Sequence, residues 1–260
     1  MSTKENKQQA KNPTSEIQME VHHHPEVEKK GLKEYVLEGL MIFLAVMMGF
    51  IAENIREGIS EHKRAAEFAK SYYVDIKKDT ASLHQALRFS AHKIAAIDSI
   101  EAVMRQPPAA RNDTVIVTRG IVASAVLPFE PSTANNEQIK SSGVIRSFKQ
   151  KMINLMNEYD LQARHVVRRE DITQKFITEQ MVPFIMTTGD LGGSYDIMTG
   201  AKITHSVHLD WDLAMAKKYL NMVIFTKILT MRSMQEYRKQ LVVADKVLKE
   251  LEKEYEVSGE

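Results

Sequence analysis

Hydrophobic and polar residues are segregated along the chain, and their pattern predicts three segments. Residues 1–34 are polar and contain too few apolar side chains to bury the surface that folding requires. Residues 39–52 then read GLMIFLAVMMGFIA, an apolar run without a charged residue. Beyond the run, apolar positions recur every three or four residues, as on one side of a helix. We therefore predict a disordered polar tail (1–34), a transmembrane helix (35–55) and a helical soluble domain (56–260).

The apolar run is long enough to cross a membrane when its flanks are included. With residues 35–37 added, the stretch between Lys33 and Arg56 approaches the roughly 20 residues that cross a hydrocarbon core. Its apolar side chains cover every face of a helix, whereas a helix packed on a soluble core needs only one apolar stripe. A cleaved signal peptide fits less well, because the run begins far from Met1 and no small-x-small site follows it. The pattern favours an uncleaved signal anchor.

One face of the predicted span is suited to contact with another helix. On a helical wheel this face collects Glu38, Ile42, Ala45, Gly49 and Ala52. Ala45 and Gly49 stand four residues apart, the small-xxx-small spacing that lets two helix backbones approach closely in lipid. The carboxylate of Glu38 is costly in a bilayer unless it is protonated, reaches the headgroups or finds a partner. The face predicts a helix–helix interface of a homo-oligomer; the alternative is a lone helix whose Glu38 reaches the headgroups.

After the span, a seam of apolar residues continues at the spacing of a helix or coiled coil. The seam consists of Ala69, Tyr73, Ile76, Leu83, Leu87, Ile94, Ile97 and Met104. Pro107 and Pro108 end it, because proline lacks the backbone donor that a helix needs. Residues 113–127 follow, and their β-branched TVIV start is compatible with a strand. A helix that packs against the seam is favoured over a strand there.

The remaining elements complete an all-α prediction. A short helix is expected at 138–142, with Ser132 or Thr133 as its N-cap and Gly143 in the left-handed conformation at its C-terminus. The longer elements are helices at about 144–184 and 210–255 and a glycine-rich loop at 187–203. The predicted fold is therefore all-α, with one transmembrane helix followed by an antiparallel helical bundle.

Composition argues against several classes of function. The 35 lysines and arginines nearly balance the 34 aspartates and glutamates, so a concentrated basic face for nucleic acid is not expected. The chain has no cysteine, which excludes disulfides, thiolate nucleophiles and cysteine metal ligands. Its sequence contains no phosphate loop, dinucleotide fingerprint or paired-carboxylate motif. We predict no enzyme activity, no cofactor and no nucleic-acid partner.

Three short motifs contain residue types that can carry chemistry. They are the tract His22, His23 and His24, the group His205, His208 and Asp210, and the turn Gly192-Gly193-Ser194. The tract lies on a tail that cannot enclose an ion, and the group lacks a fourth ligand. The turn lacks the G-x-S-x-G pattern and a preceding strand. We therefore predict no catalytic residue and no metal site among them.

Three sequence blocks carry a resemblance to a known family. The first is the span with Glu38 and Glu53-Asn54, followed by Tyr72-Tyr73 and DIKKD at 75–79. The second is Phe129-Glu130-Pro131, then EQIKSSG at 137–143 and Ile145-Arg146; the third is LKELEKE at 248–254. In these blocks the chain resembles an uncharacterised family of single-pass membrane proteins from Bacteroidota-type bacteria, a domain of unknown function. The resemblance implies an inner-membrane location with the helical domain outside the cytoplasm, and it brings no catalytic residues.

The sequence thus predicts a protein that acts by association. Its expected role is that of a membrane-anchored structural or interaction protein, which contacts the lipid bilayer, itself or an unidentified protein partner. An extracytoplasmic sensory or ligand-binding helical module is the alternative.

Overall fold

A computed structural model describes residues 31–200, 207–255 and 257, and this part of the chain is helical without β-strands. Seven α-helices are described in it. They are α1 (Leu32–Met104), α2 (Asp113–Ser124), α3 (Ala134–Ser141), α4 (Gln150–Phe176), α5 (Val182–Thr188), α6 (Leu191–Thr199) and α7 (Leu213–Tyr255). Short 3₁₀-helices lie at Pro108–Ala110 and Val144–Ser147, and a π-helix, Ile177–Met181, joins α4 to α5. By contacts the chain divides into two compact units, one ending at Asn54 and the other beginning at Ile55.

The first unit contains the apolar part of α1. By length and composition α1 is the one helix in the described ranges that can cross a membrane. Every residue from 32 to 54 is exposed, including large side chains such as Phe43 and Phe50, which are 58% and 68% exposed. This segment therefore presents apolar surface on all sides, in contrast to the one-sided helices of a soluble core.

The second unit is an antiparallel bundle of the long helices, as the sequence predicts. Helix α7 runs antiparallel to α1, because Lys227 near its start pairs with Asp98 at 2.5 Å and Glu252 near its end accepts from the Tyr73 hydroxyl at 2.8 Å. Helix α7 also runs antiparallel to α4, where Lys246 pairs with Glu158 at 2.9 Å. Apolar residues of all three helices form the core.

The predicted seam faces this core. Six of its eight residues are buried and two are half-buried. The buried ones are Ala69, Tyr73, Ile76, Leu83, Ile97 and Met104, and the half-buried ones are Leu87 and Ile94. The chain from 113 to 124 is helical, which confirms the favoured prediction over the strand. The Asn112 side chain caps α2 by accepting from the Val115 amide at 3.2 Å.

The connection between α2 and α3 is irregular and is held by two buried carboxylates. Glu170 on α4 accepts from the Phe129 amide at 2.9 and 3.1 Å. Asp79 on α1 accepts from the amide and the hydroxyl of Ser132 at 3.0 and 2.8 Å. The carboxylates thus satisfy backbone donors in a segment that no helix or sheet supports.

Around α3, one expected cap is present and another is not. Gly143 is left-handed with φ 76°, which confirms the predicted C-terminal conformation. Thr133 occupies the N-cap position, but its side chain makes no capping hydrogen bond. The hydroxyl of Ser132 donates to Asp79 instead, because that carboxylate is buried and needs donors.

Two sequence predictions in the second half of the chain are wrong. The helix expected at 144–184 does not begin at 144, since Val144–Ser147 is a 3₁₀ turn and α4 starts at Gln150. The glycine-rich region 187–203 is not one long loop, because α6 occupies most of its described part. Asp190 caps α6 by accepting from the Gly193 amide at 2.8 Å. A β-carbon on Gly193 would lie 2.9 Å from Val207 Cγ2, so this glycine serves close packing rather than a loop.

Candidate functional site

An apolar pocket of about 340 Å³ lies between α2, α5, α6 and the start of α7. Its walls are mostly aliphatic and aromatic. Aliphatic side chains in the wall include Ile116, Ile121, Ile185, Leu191, Met198 and Leu209. Sites for small molecules in proteins are typically concave, mostly apolar and about 300–1,000 Å³ in volume. The pocket meets each of these criteria at the lower end of the size range.

Three packed aromatic rings support one side of the pocket. Trp211 and Tyr219 line it, with their ring centroids 4.8 Å apart, and Phe184 packs behind both at 5.6 and 6.0 Å. The indole nitrogen of Trp211 donates to the Thr188 carbonyl at 2.7 Å, which fixes the ring. The wall is therefore rigid and its indole donor is already used.

The hydroxyl of Tyr219 differs from the other polar side chains of the wall, because those are hydrogen-bonded within the protein. Tyr219 is buried, with 3% of its surface exposed, and its hydroxyl has no hydrogen-bond partner among the described residues. Gly120 makes room for it, because a β-carbon there would lie 2.7 Å from the hydroxyl oxygen. Burial raises the pKa of Tyr219, so the hydroxyl stays protonated and remains a donor.

The other polar side chains of the wall are bound within the protein. Ser124 donates to the Gly120 carbonyl at 3.0 Å, and Ser194 donates to the Asp190 carbonyl at 2.7 Å. The candidate turn around Ser194 is thus part of α6, and its hydroxyl bonds back to the helix rather than to a base. Among the described residues that line the pocket there is no lysine, arginine or histidine.

A second, polar cavity of about 30 Å³ lies among α1, α4, α7 and the connection after α2. Lys93 is buried there, and its ammonium donates to the Ala125 carbonyl at 2.8 Å. Burial lowers the pKa of Lys93 to about 8.

Glu170 lines the same cavity and accepts from the Tyr237 hydroxyl. Burial raises the pKa of Glu170, although the bonds from Tyr237 and Phe129 oppose that change. The volume suits about one or two water molecules rather than an organic ligand.

The histidine motifs do not assemble into a site within the described ranges. His22, His23, His24 and His205 lie outside the described residues. His208 is exposed, and its Nδ1 atom lies 3.3 Å from the Asp113 carboxylate. Asp210 is exposed as well. Among the described residues, no group of three or more histidine, aspartate or glutamate side chains is placed to hold a metal ion.

The predicted interface face is accessible along its whole length. Its residues Glu38, Ile42, Ala45, Gly49 and Ala52 are all exposed. A β-carbon on Gly49 would meet no atom within 4 Å. Coverage of this face by a second helix stays a prediction.

Sequence reasoning missed the pocket for a physical reason. Tyr219 is buried on α7, and Trp211 lies partly buried just before that helix. The pocket also needs α6, whose glycines favour a loop by composition. The single tryptophan and the glycine-rich stretch before it were the only signals in the sequence, and neither reveals that they meet.

Comparison with protein families, with curated proteins and with solved structures finds no match for this chain.

Proposed function

We propose that this chain is a single-pass membrane protein that anchors a helical interaction domain to a bilayer. Residues 35–55 form the anchor, and the domain from residue 56 onward associates with itself or with a protein partner. The observation that supports the proposal is the apolar segment of α1, which is exposed on every face from 32 to 54. Lipid would remove that surface from water. This burial stabilises the inserted helix by about 25 cal/mol for each Å² of apolar area.

The buried polar residues of the domain support a structural role rather than a chemical one. Asp79 and Glu170 each accept bonds that hold the connection after α2. Such bonds use the acceptor capacity of the carboxylates inside the scaffold. A rigid helical domain of this kind is suited to present a fixed surface to a partner.

The proposal extends to the location of the domain. Following the family that the sequence resembles, we place the anchor in the bacterial inner membrane and the helical domain in the periplasm. Membership of that family is part of the same proposal, and it rests on the three sequence blocks described above.

Extraction from membranes tests the anchor. The full-length protein should remain in the membrane pellet after an alkaline carbonate wash and be released by detergent. The double variant Leu44→Arg and Met47→Arg should become extractable, because each arginine at the centre of a span costs about 2.5–3.5 kcal/mol. The matched variant Leu44→Ile and Met47→Ile should behave like the wild type. Release of the wild-type protein by carbonate would refute the anchor.

A second candidate function is favoured by the apolar pocket. A pocket of about 340 Å³ with a rigid aromatic wall is suited to bind a small molecule. The helical domain would then act as a ligand-binding module on the membrane, and the ligand would stabilise the fold by an amount that grows with the logarithm of its concentration above Kd.

A further inference from the structure

We infer that the pocket binds a neutral, mainly apolar small molecule that carries a carbonyl oxygen, and that the Tyr219 hydroxyl donates to that oxygen. The inference rests on the second candidate function and adds to it the chemical class of the ligand and the residue that selects it.

The size and the lining of the pocket set the first requirement. An engineered apolar cavity of about 150 Å³ binds benzene, and this pocket is roughly twice as large. Its space therefore suits a fused two-ring system or an apolar group of similar bulk. The aromatic rings of Trp211 and Tyr219 offer a surface on which a flat ring can stack.

The hydrogen-bonding groups set the second requirement. The donors of Trp211, Ser124 and Ser194 are already bound to backbone carbonyls. Tyr219 retains its donor inside the pocket, with no bond to another described residue. A donor on the wall of an apolar pocket that no protein group occupies can pair with a ligand that carries an acceptor oxygen. A carbonyl is a strong acceptor that needs no donor in return.

Charge sets the third requirement. The carboxylate of Asp190 lies among the lining residues, and none of the lining residues within 31–200 and 207–255 is cationic. A carboxylate or phosphate ligand would be desolvated in an apolar pocket without a counter-charge. A fatty acid or a phosphorylated metabolite is therefore disfavoured, and a neutral carbonyl compound such as a quinone or an aromatic ketone fits.

The experiment uses 2-methyl-1,4-naphthoquinone and the full-length protein in lipid vesicles, which contain no other protein. Trp211 is the only tryptophan of the chain, so quenching of its fluorescence reports on this pocket alone. The chain has no cysteine, so the quinone cannot add to a thiol. The second probe is 2-methylnaphthalene, which has the same rings without the carbonyl oxygens and is measured by its displacement of the quinone.

Three variants separate the steps of the inference. Tyr219→Phe removes the donor and should weaken quinone binding about three- to tenfold while leaving 2-methylnaphthalene unaffected. Ile121→Phe narrows the pocket and should weaken both probes at least about tenfold. Val122→Phe adds the same ring at the neighbouring position, which does not line the pocket, and should change neither affinity. Circular dichroism melting curves verify that each variant is folded.

The outcomes distinguish the two levels of the proposal. Saturable quenching that Ile121→Phe weakens and Tyr219→Phe leaves unchanged would overturn the role of Tyr219 and the carbonyl requirement, while the ligand-binding function would stand. Quenching that does not saturate, or that is the same in all four proteins, would mean that the probe only partitions into lipid. That result would overturn both the inference and the ligand-binding function. If Tyr219→Phe unfolds the protein, selective binding of the quinone over 2-methylnaphthalene by the wild type decides the carbonyl requirement.

Discussion

Three ionisable side chains buried in the helical domain, Asp79, Lys93 and Glu170, hold the same irregular segment. Lys93 donates to Ala125 at its beginning, and Asp79 accepts from Ser132 near its end. Burial raises the pKa of Asp79, although its hydrogen bonds from Tyr159 and Ser132 oppose that change. The sequence does not identify these roles, because each depends on a partner at least 32 residues away.

Lys93 should make the stability of the fold depend on pH in the alkaline range. Burial lowers its pKa to about 8 from the ordinary 10.5. Between these values the unfolded chain binds the proton that the folded chain has released, so the free energy of unfolding rises with pH. For this single group the rise is about 1–2 kcal/mol between pH 8 and 9.5.

Lys93→Met should abolish that rise while filling a similar volume. Urea unfolding of wild type and variant at pH 7, 8, 9 and 9.5 measures it, and the ionisation of unfolded tyrosines near pH 10 cancels in the difference between the two proteins. Lys239→Met, at an exposed lysine, serves as the control and should keep the wild-type slope. Equal slopes for wild type and Lys93→Met would contradict the assignment.

Gly143 should be sensitive to a β-carbon for conformational reasons alone. Its φ of 76° lies in the left-handed region, and a β-carbon there would meet no neighbouring atom within 4 Å. Gly143→Val should therefore lower the free energy of unfolding by about 1–2 kcal/mol through backbone strain. Gly143→Asn should cost less, because asparagine tolerates this conformation. Thermal melts would show the assignment to be wrong if valine and asparagine had the same effect.

At the scale of elements, periodicity predicted the helices that pack on a continuous core. The seam on α1 and the buried side of α7 follow a spacing of three and four residues, and this spacing needs no knowledge of the partner helices. Helix α6 was missed because its glycines have low helix propensity, while its stability depends on the Asp190 cap and on packing against Val207. The start of α4 was missed because the 3₁₀ turn before it contains the same apolar residues as a helix.

The apolar part of α1 should self-associate through the face that contains Gly49. Gly49→Ile should weaken association of the full-length protein in detergent about tenfold or more, because the side chain keeps two backbones apart. Gly39→Ile provides the matched control, since this exposed glycine lies on another side of the helix and its β-carbon also meets nothing within 4 Å. Sedimentation or crosslinking measures the association. If Gly49→Ile associates as strongly as the wild type, this face is not the interface.

At the scale of the whole molecule, the sequence predicted the all-α class and the exposed apolar helix because both follow from local patterns. An apolar run and a repeated stripe are readable from neighbouring residues. The pocket was not predictable in this way, because its walls come from α2, α5, α6 and α7 and only the packed chain brings them together. The unpaired donor of Tyr219 likewise depends on which of the described residues surround it in space.

A single crossing of the membrane by the chain can be tested directly by labelling. Because the protein has no cysteine, a single introduced cysteine is the only site for a maleimide. Ser2→Cys marks the tail and Gln235→Cys marks an exposed position on α7. A membrane-impermeant maleimide applied to cells with a permeable outer membrane should label Gln235→Cys at once. It should label Ser2→Cys only after the inner membrane is opened. Equal labelling of both cysteines in intact cells would contradict the single crossing.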